Sequence, residues 1–374
     1  MKVCYLRDDE EHATAFLRYY VPADYLIKSG WSVKFKGQLT HDENYNLTDK
    51  DVLDADLLIM GQFMFRDDLP LIKMFKRHNK KMIFDADDWY LESQMKRVQN
   101  DLDAYCEMAR MVDGITVASE YLGELYHKKI GIPKDKIYYL PNACLVKVWK
   151  AWREKKKDKI AENKKRGLCI GLMGSSNHLP DWKHTAIPVL KEIKKKYPEI
   201  RIEVMGLPMN LTNFLLLNKP NMTQSFLDEC AESYSELIDL GVVPITPTRK
   251  QEEFYPKFVS LGWDIGLATL SNTRTDKSKS FLKYLDFTMA GIVGVYKGIS
   301  PFTEVIKDGY NGMMANTHQE WVDKLSFLVE NNDKRQEILK NATNDVEEKH
   351  DFDKEWCKWR DVYRKVITGR SGAK

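Results

Sequence analysis

The sequence predicts an α/β fold of two Rossmann-like domains facing each other across a cleft. Three observations predict it. The chain has 374 residues, long for one domain and comfortable for two. Short apolar runs alternate with longer amphipathic stretches, the pattern of a parallel sheet flanked by helices. That alternation stops once, at a basic stretch over residues 147–166, and then begins again.

The first series opens with a strand over 1–6, followed by a helix over 19–30. Apolar runs at 31–35, 55–60, 81–84 and 114–117 read as the next strands. A run at 136–140 closes this sheet and ends at Pro141-Asn142. These residues form a first domain over 1–146. The stretch 147–166 carries Trp149 and Trp152 among many lysines and has no buried-strand signal. It reads as a connecting helix and linker, either a solvated face or a basic surface towards an anionic acceptor or membrane. The second domain, 167–350, starts with a strand at 168–172 and a helix at 185–197, then strands at 201–205, 242–245, 265–268, 292–296 and 312–315. A tail helix over 351–367 is rich in tryptophan, tyrosine and basic residues; with the residues to 374 it is expected to pack back on the first domain.

Composition narrows the class. Hydrophobic residues make up 43% and charged residues 30%, an ordinary soluble balance. No apolar run approaches the roughly 20 residues of a membrane helix, and the N-terminus turns acidic too early for a signal peptide. The six cysteines are scattered with no C-x-x-C pair, which disfavours structural zinc and a disulfide framework and fits a reducing cytoplasm. A net charge of +3 identifies no nucleic-acid partner by itself.

Two places could hold an anion. Gly171-Leu172-Met173-Gly174-Ser175-Ser176-Asn177-His178 reads as a strand ending in small residues before a helix. Such an end offers backbone N–H groups and a positive dipole to a phosphate, with Gly174, Ser175 and Ser176 as donors. It lacks the G-x-G-x-x-G of a dinucleotide site and the G-K-[ST] of a P-loop, so a purely structural turn is the competing reading. The second place is Lys279-Ser280-Phe281-Leu282-Lys283-Tyr284-Leu285-Asp286. Read as a helix start, it puts Lys279, Lys283 and Asp286 on one face. Lysines there oppose the helix dipole unless an anion offsets them; a diphosphate is one such anion, and a surface ion-pair network is the alternative. His178 could reach a phosphate or a sugar, or be a buried core histidine. Asp85-Ala86-Asp87-Asp88 follows a strand, and Asp85, Asp87 and Asp88 read as acceptor orientation or catalysis, as helix capping, or as a divalent-metal pair. His12 lies in an acidic loop that either faces an acceptor or is simply solvated.

The segments "DIGLATL", "KSKSFLKYLDFTMAGIVGVYKG", "FTEVIKDGYNGMMA" and "EWVDKLSFLVENND" resemble the C-terminal half of glycosyltransferase family 4. "GLMGSSNH", "FDADDW", "ITVASEYL" and "KIYYLPNA" resemble that family's other segments, in the same order over nearly the whole chain. The resemblance implies a GT-B fold and a sugar-nucleotide-dependent, retaining glycosyl transfer, with a UDP- or GDP-sugar as co-substrate, no further cofactor and no metal. Asp286 falls on the second acidic position of the family's motif of glutamate, seven residues, glutamate, which implies a contact to the donor ribose. The first acidic position falls on Ser278, a departure from the family, and Val293 stands for its usual proline. Lys279, Ser280 and Lys283 would then meet the diphosphate, and Asp87, Asp85, Asp88 and His12 would lie on the acceptor side. The implied acceptor is a glycan or cell-envelope component, with peripheral membrane contact. A hydroxymethylated base of DNA is the alternative acceptor, since some viral DNA-glucosylating enzymes share the frame. A sugar-nucleotide epimerase, a phosphorylase and a nucleotide-sugar-binding protein are readings from other classes.

Overall fold

A computed structural model describes residues 1–6, 15–37, 48–61, 66–89, 91–92, 101–175, 178–207, 211–212, 215, 222–248 and 250–369. It divides into two compact units. Unit 1 contains residues 1–142, 277–280 and 353–374; unit 2 contains residues 143–276 and 281–352.

Unit 1 is built on six strands: β1 Lys2–Tyr5, β2 Ser32–Phe35, β3 Leu57–Gly61, β4 Lys81–Ala86, β5 Gly114–Val117 and β6 Ile137–Tyr139. They pair in the order β2-β1-β3-β4-β5-β6, and every pairing is parallel. Parallel strands need a crossover between neighbours, which is why helices such as Leu69–Arg77 and Leu102–Met111 separate them in sequence. Leu57, Leu58, Ile59 and Met60 are all buried. A strand covered on both faces reads as a continuous apolar run rather than an alternating one, and this made β3 visible in the sequence. The expected helix at 19–30 forms as Val21–Lys28 with Pro22 in its first turn, preceded by a π-helical turn at Phe16–Tyr20.

Unit 2 has β7 Cys169–Met173, β8 Arg201–Met205, β9 Val243–Ile245, β10 Ile265–Ala268, β11 Val293–Lys297 and β12 Met313–Ala315. Their order is β12-β11-β10-β7-β8-β9, again parallel throughout. At the centre, Gly171 pairs with Gly266, and the Trp263 ring lies over Gly171. A Cβ there would meet that ring at 1.9 Å, so only glycine fits. The helix His318–Glu330 starts on a capping box between Thr317 and Glu320, which satisfies two otherwise orphaned backbone donors.

The basic stretch 147–166 is not a free linker. It forms helices Val146–Lys155 and Lys157–Lys164 and belongs to unit 2. Trp149 is the reason: its buried ring packs edge-on against Tyr255, with centroids 4.8 Å apart. The C-terminal helix Phe352–Thr368 is counted with unit 1 from residue 353 onwards. There Trp359 lies 5.0 Å from the Arg18 guanidinium, and the Tyr363 hydroxyl lies 3.4 Å from that of Tyr5. Among the described residues no helix is long and apolar enough to cross a membrane.

Candidate functional site

In unit 2, β7 comes first in the chain; β8 and β9 lie on one side of it and β10 to β12 on the other. The strand order therefore reverses between β7 and β10. Open parallel sheets bind ligands beyond the carboxyl ends of their strands at such a reversal. Gly174 and Ser175 follow β7, and Thr269 follows β10. The Gly174 N–H donates to Met205 O at 3.0 Å. A Cβ on Gly206, at φ +109°, would come within 2.3 Å of the Gly174 oxygen. The loops after β7 and β8 thus touch backbone to backbone, with the Gly206 N–H in turn donating to Ile245 O at 2.8 Å. Ser175 is exposed, and its carbonyl accepts from the His178 N–H at 3.0 Å. The His178 ring stacks on Trp182 with centroids 6.1 Å apart, and its Nδ1 lies 3.5 Å from Asp181. Ser176 lies outside the described residues.

Thr269 was not singled out in the sequence. It is 1% exposed, and its Oγ1 has no hydrogen-bond partner among the described residues. A buried hydroxyl left unmade costs about 1–3 kcal/mol, and here it stands at the strand end where a ligand would arrive. Only the strand's position in the sheet reveals this; threonine after a buried strand carries no signal by itself.

Lys283 and Asp286 lie on the helix Leu282–Ala290, Lys283 in its first turn. Asp286 is 6% exposed, and among the described residues it receives no hydrogen bond or ion pair. Burial pushes its carboxyl up from 3.8 to about 8, opposed by the nearby Lys283 ammonium. Its charge also helps to raise Tyr296 and Tyr255, after burial itself. Among the described residues this is a buried carboxyl with the Lys283 ammonium nearby and no hydrogen-bond donor of its own.

The expected common face of Lys279, Lys283 and Asp286 does not form. The preceding helix spans Arg274–Ser278, the next begins at Leu282, and Lys279 lies in the connection. Residues 277–280 belong to unit 1 instead. Ser278 is fully buried there: its Oγ accepts from the Trp89 N–H at 3.1 Å and lies 3.4 Å from Asp88 Oδ1. Its carbonyl accepts from Ser119 Oγ at 2.7 Å. These bonds end the helix and fix the connection. A carboxylate in place of Ser278 would set a second like charge beside Asp88.

In unit 1 the strand order reverses between β1 and β3. The loops after these strands, with His12, lie outside the described residues. Asp85, expected to face an acceptor, is instead 2% exposed at the end of β4. Arg18, itself fully buried, donates to its two oxygens at 2.7 Å from Nε and NH2, and Thr116 donates as well. Burial disfavours the Arg18 charge, but Asp85 outweighs it and holds the guanidinium above its ordinary value. Arg18 NH1 also donates to Leu140 O and Asn142 Oδ1, both at 2.9 Å. Asp85 is therefore an architectural counter-ion, not a group open to a substrate or metal. Asp87 and Asp88, just beyond it, are half-buried.

No family model matches the chain, and no curated protein is similar to it in sequence. Solved structures are similar in fold. HepE of Anabaena, solved with UDP-glucose, superposes with a TM-score of 0.70 at 12% identity, over 98% of this chain and 100% of that one. Sucrose-phosphate synthase of Thermosynechococcus elongatus gives 0.69 at 10% identity, over 99% and 100%. A UDP-forming α,α-trehalose-phosphate synthase of Burkholderia xenovorans gives 0.67 at 10% identity, over 100% of both chains. At these identities the likeness establishes the fold. It is the GT-B fold of nucleotide-sugar glycosyltransferases.

Proposed function

We propose that this protein is a glycosyltransferase that moves a sugar from a nucleotide-diphosphate sugar to an acceptor hydroxyl, with retention of configuration. The observation that carries the reading is Asp286, buried and, among the described residues, without a hydrogen bond or ion pair at its carboxyl. A ribose diol supplies the hydrogen bonds it lacks. Lys283, with Lys279 from the 277–280 segment, meets the diphosphate, and Ser175 and Ser280 offer further donors, whereas the N–H of Gly174, expected to be one, is already taken by Met205 O. As the sugar–phosphate bond breaks, the departing diphosphate gains negative charge. Fixed ammonium and N–H groups then stabilise the transition state more than the ground state. The acceptor hydroxyl attacks the same face of the oxocarbenium-like sugar, with Asp87 and His178 as the groups nearest in kind to a proton carrier. The likeness to HepE solved with UDP-glucose supports a UDP-sugar as the first donor to try; a GDP-sugar is the other.

Lys283→Ala and Lys279→Ala are each expected to lower kcat by about 10²–10³, as loss of one preorganised donor does elsewhere. Sugar release from UDP-glucose, followed by mass spectrometry, measures this. Normal turnover in both variants refutes the assignment. Conversion of the sugar nucleotide without any acceptor would identify an epimerase instead, and nucleotide binding with neither transfer nor hydrolysis a binding protein.

For the acceptor we favour a glycan or cell-envelope component met at an anionic surface. The stretch 147–166 has ten lysines and arginines against three acidic residues, on a chain whose net charge is only +3. A modified base in DNA is the second reading that this excess favours. It requires the nucleotide to be extruded, and its binding should fall steeply with salt. Transfer to hydroxymethylated DNA that declines with salt would establish it; salt-independent transfer to a neutral glycan would exclude it.

A further inference from the structure

Arg18, Asp85, Asn142, Ser119 and Ser278 are polar, buried, and absent from the chemistry above. Within unit 1 they form two separate hydrogen-bonded sets that meet at the connection 277–280. Asp85 holds Arg18 by two bonds, and Arg18 donates to Asn142 Oδ1 at 2.9 Å. Asn142 Nδ2 then donates to Ser280 Oγ at 2.9 Å. On the other side, Ser119 Oγ holds the carbonyl of Ser278, and the Trp89 N–H holds its hydroxyl. The residues so bound are the immediate neighbours of Lys279. The connection 277–280 lies in the chain between Asp276 and Phe281, which belong to unit 2, yet these bonds seat it on unit 1.

We propose that Asn142, backed by the Arg18–Asp85 pair, and Ser278, held by Ser119, are positioning residues that fix Lys279 from both sides for its work on the donor diphosphate. The inference rests on the reading of Lys279 as a diphosphate contact. A lysine has a flexible four-carbon stem, so its use in a transition state depends on where its backbone is pinned. Catalytic groups need support that holds them to within about 0.5 Å. An ion pair buried this deeply is poor evidence for stability as such; fixing a strand end, Asn142 and the connection in one arrangement is a different use of it.

The test uses the full chain and two readouts. Hydrogen exchange of the peptide spanning 277–280 reports the anchoring without reference to activity. Asn142→Ala and Ser278→Ala should each speed its exchange about tenfold, as loss of one buried hydrogen bond predicts, while β8 in unit 2 stays protected. Ser280→Ala should behave likewise, and Ser280→Thr, which keeps the hydroxyl, should restore protection. Unchanged exchange in all three alanine variants overturns the proposal. The second readout is donor turnover in a double-mutant cycle with Lys279→Ala. Asn142→Ala should lower kcat rather than raise KM, and should lower it no further once Lys279 is alanine. An equal loss in both backgrounds overturns the positioning role and leaves the function standing. Full activity of Lys279→Ala, with exchange still accelerated, shows instead that the functional reading of Lys279 was at fault and takes this inference with it.

Discussion

Asp85 in unit 1 and Asp286 in unit 2 are both aspartates removed from water, and their surroundings are opposite. Asp85 receives two bonds from one guanidinium and a third from a threonine. Asp286 receives none among the described residues, and burial pushes its carboxyl up to about 8. A carboxylate whose lone pairs are filled from within the fold belongs to the architecture. One left unfilled destabilises the protein until something fills it, which is the role proposed for Asp286. Chemistry alone does not sort the two, and an aspartate next to a strand invites a functional reading in either place. The partner does the sorting.

The largest test of this contrast is Arg18→Met, which leaves Asp85 buried and uncompensated. We expect a loss of about 3–5 kcal/mol in denaturant unfolding, largely recovered by adding Asp85→Leu, since removing both charges is far milder than removing one. A loss below about 1 kcal/mol would mean that Asp85 is as unfilled as Asp286 and would erase the comparison.

Asp286→Asn should have the opposite sign. A carboxyl whose folded pKa is raised holds its proton in the native state after the unfolded chain has released it. The contribution of Asp286 to stability therefore falls as pH rises from about 4 to about 8 and is level above that. The asparagine variant lacks this slope. It should be more stable than wild type by about 1–3 kcal/mol at the alkaline end, an advantage that vanishes near pH 4, while its affinity for the sugar nucleotide drops. Thermal unfolding across pH, with and without UDP-glucose, reads both. A variant less stable at alkaline pH would sink the claim that Asp286 is unfilled.

Thr269→Val gives the smallest effect and sharpens the same point. Replacing a buried hydroxyl with no partner should leave ligand-free stability unchanged or raised by under about 1 kcal/mol, with donor affinity reduced several-fold. Equal donor affinity would remove Thr269 from the site. Gly171→Ala serves as the control for packing. Its new methyl meets the Trp263 ring, so it should cost about 1–3 kcal/mol at every pH.

Much of the fold was legible because buried parallel strands leave continuous apolar runs. β5, β8 and β10 fall on the residues the sequence marked, and the other strands within a residue or two. The candidate site's local structure was legible only where a signal is local. Gly174 and Ser175 follow their strand as expected. The break at Lys279 was missed because spacing by three and four suggests a helix, while the bonds that end it come from Trp89 and Ser119, far away in sequence. The sequence left Asp85 open between acceptor, capping and metal roles for the same reason: Arg18, its partner, is separated from it by 67 positions, and nothing in "FDADDW" announces it. Thr269 needed the sheet order.

The make-up of unit 1 bears on how the chain emerges from the ribosome. Its sheet is finished by Tyr139, yet Trp359 and Tyr363, which cover Arg18 and Tyr5, are synthesised only after all of unit 2. At about 5–20 residues per second, the ribosome needs on the order of ten seconds or more to reach them. Through that interval a sheet with a charged pair at its heart waits without its covering helix. The half that begins first is thus the half that can be completed only last.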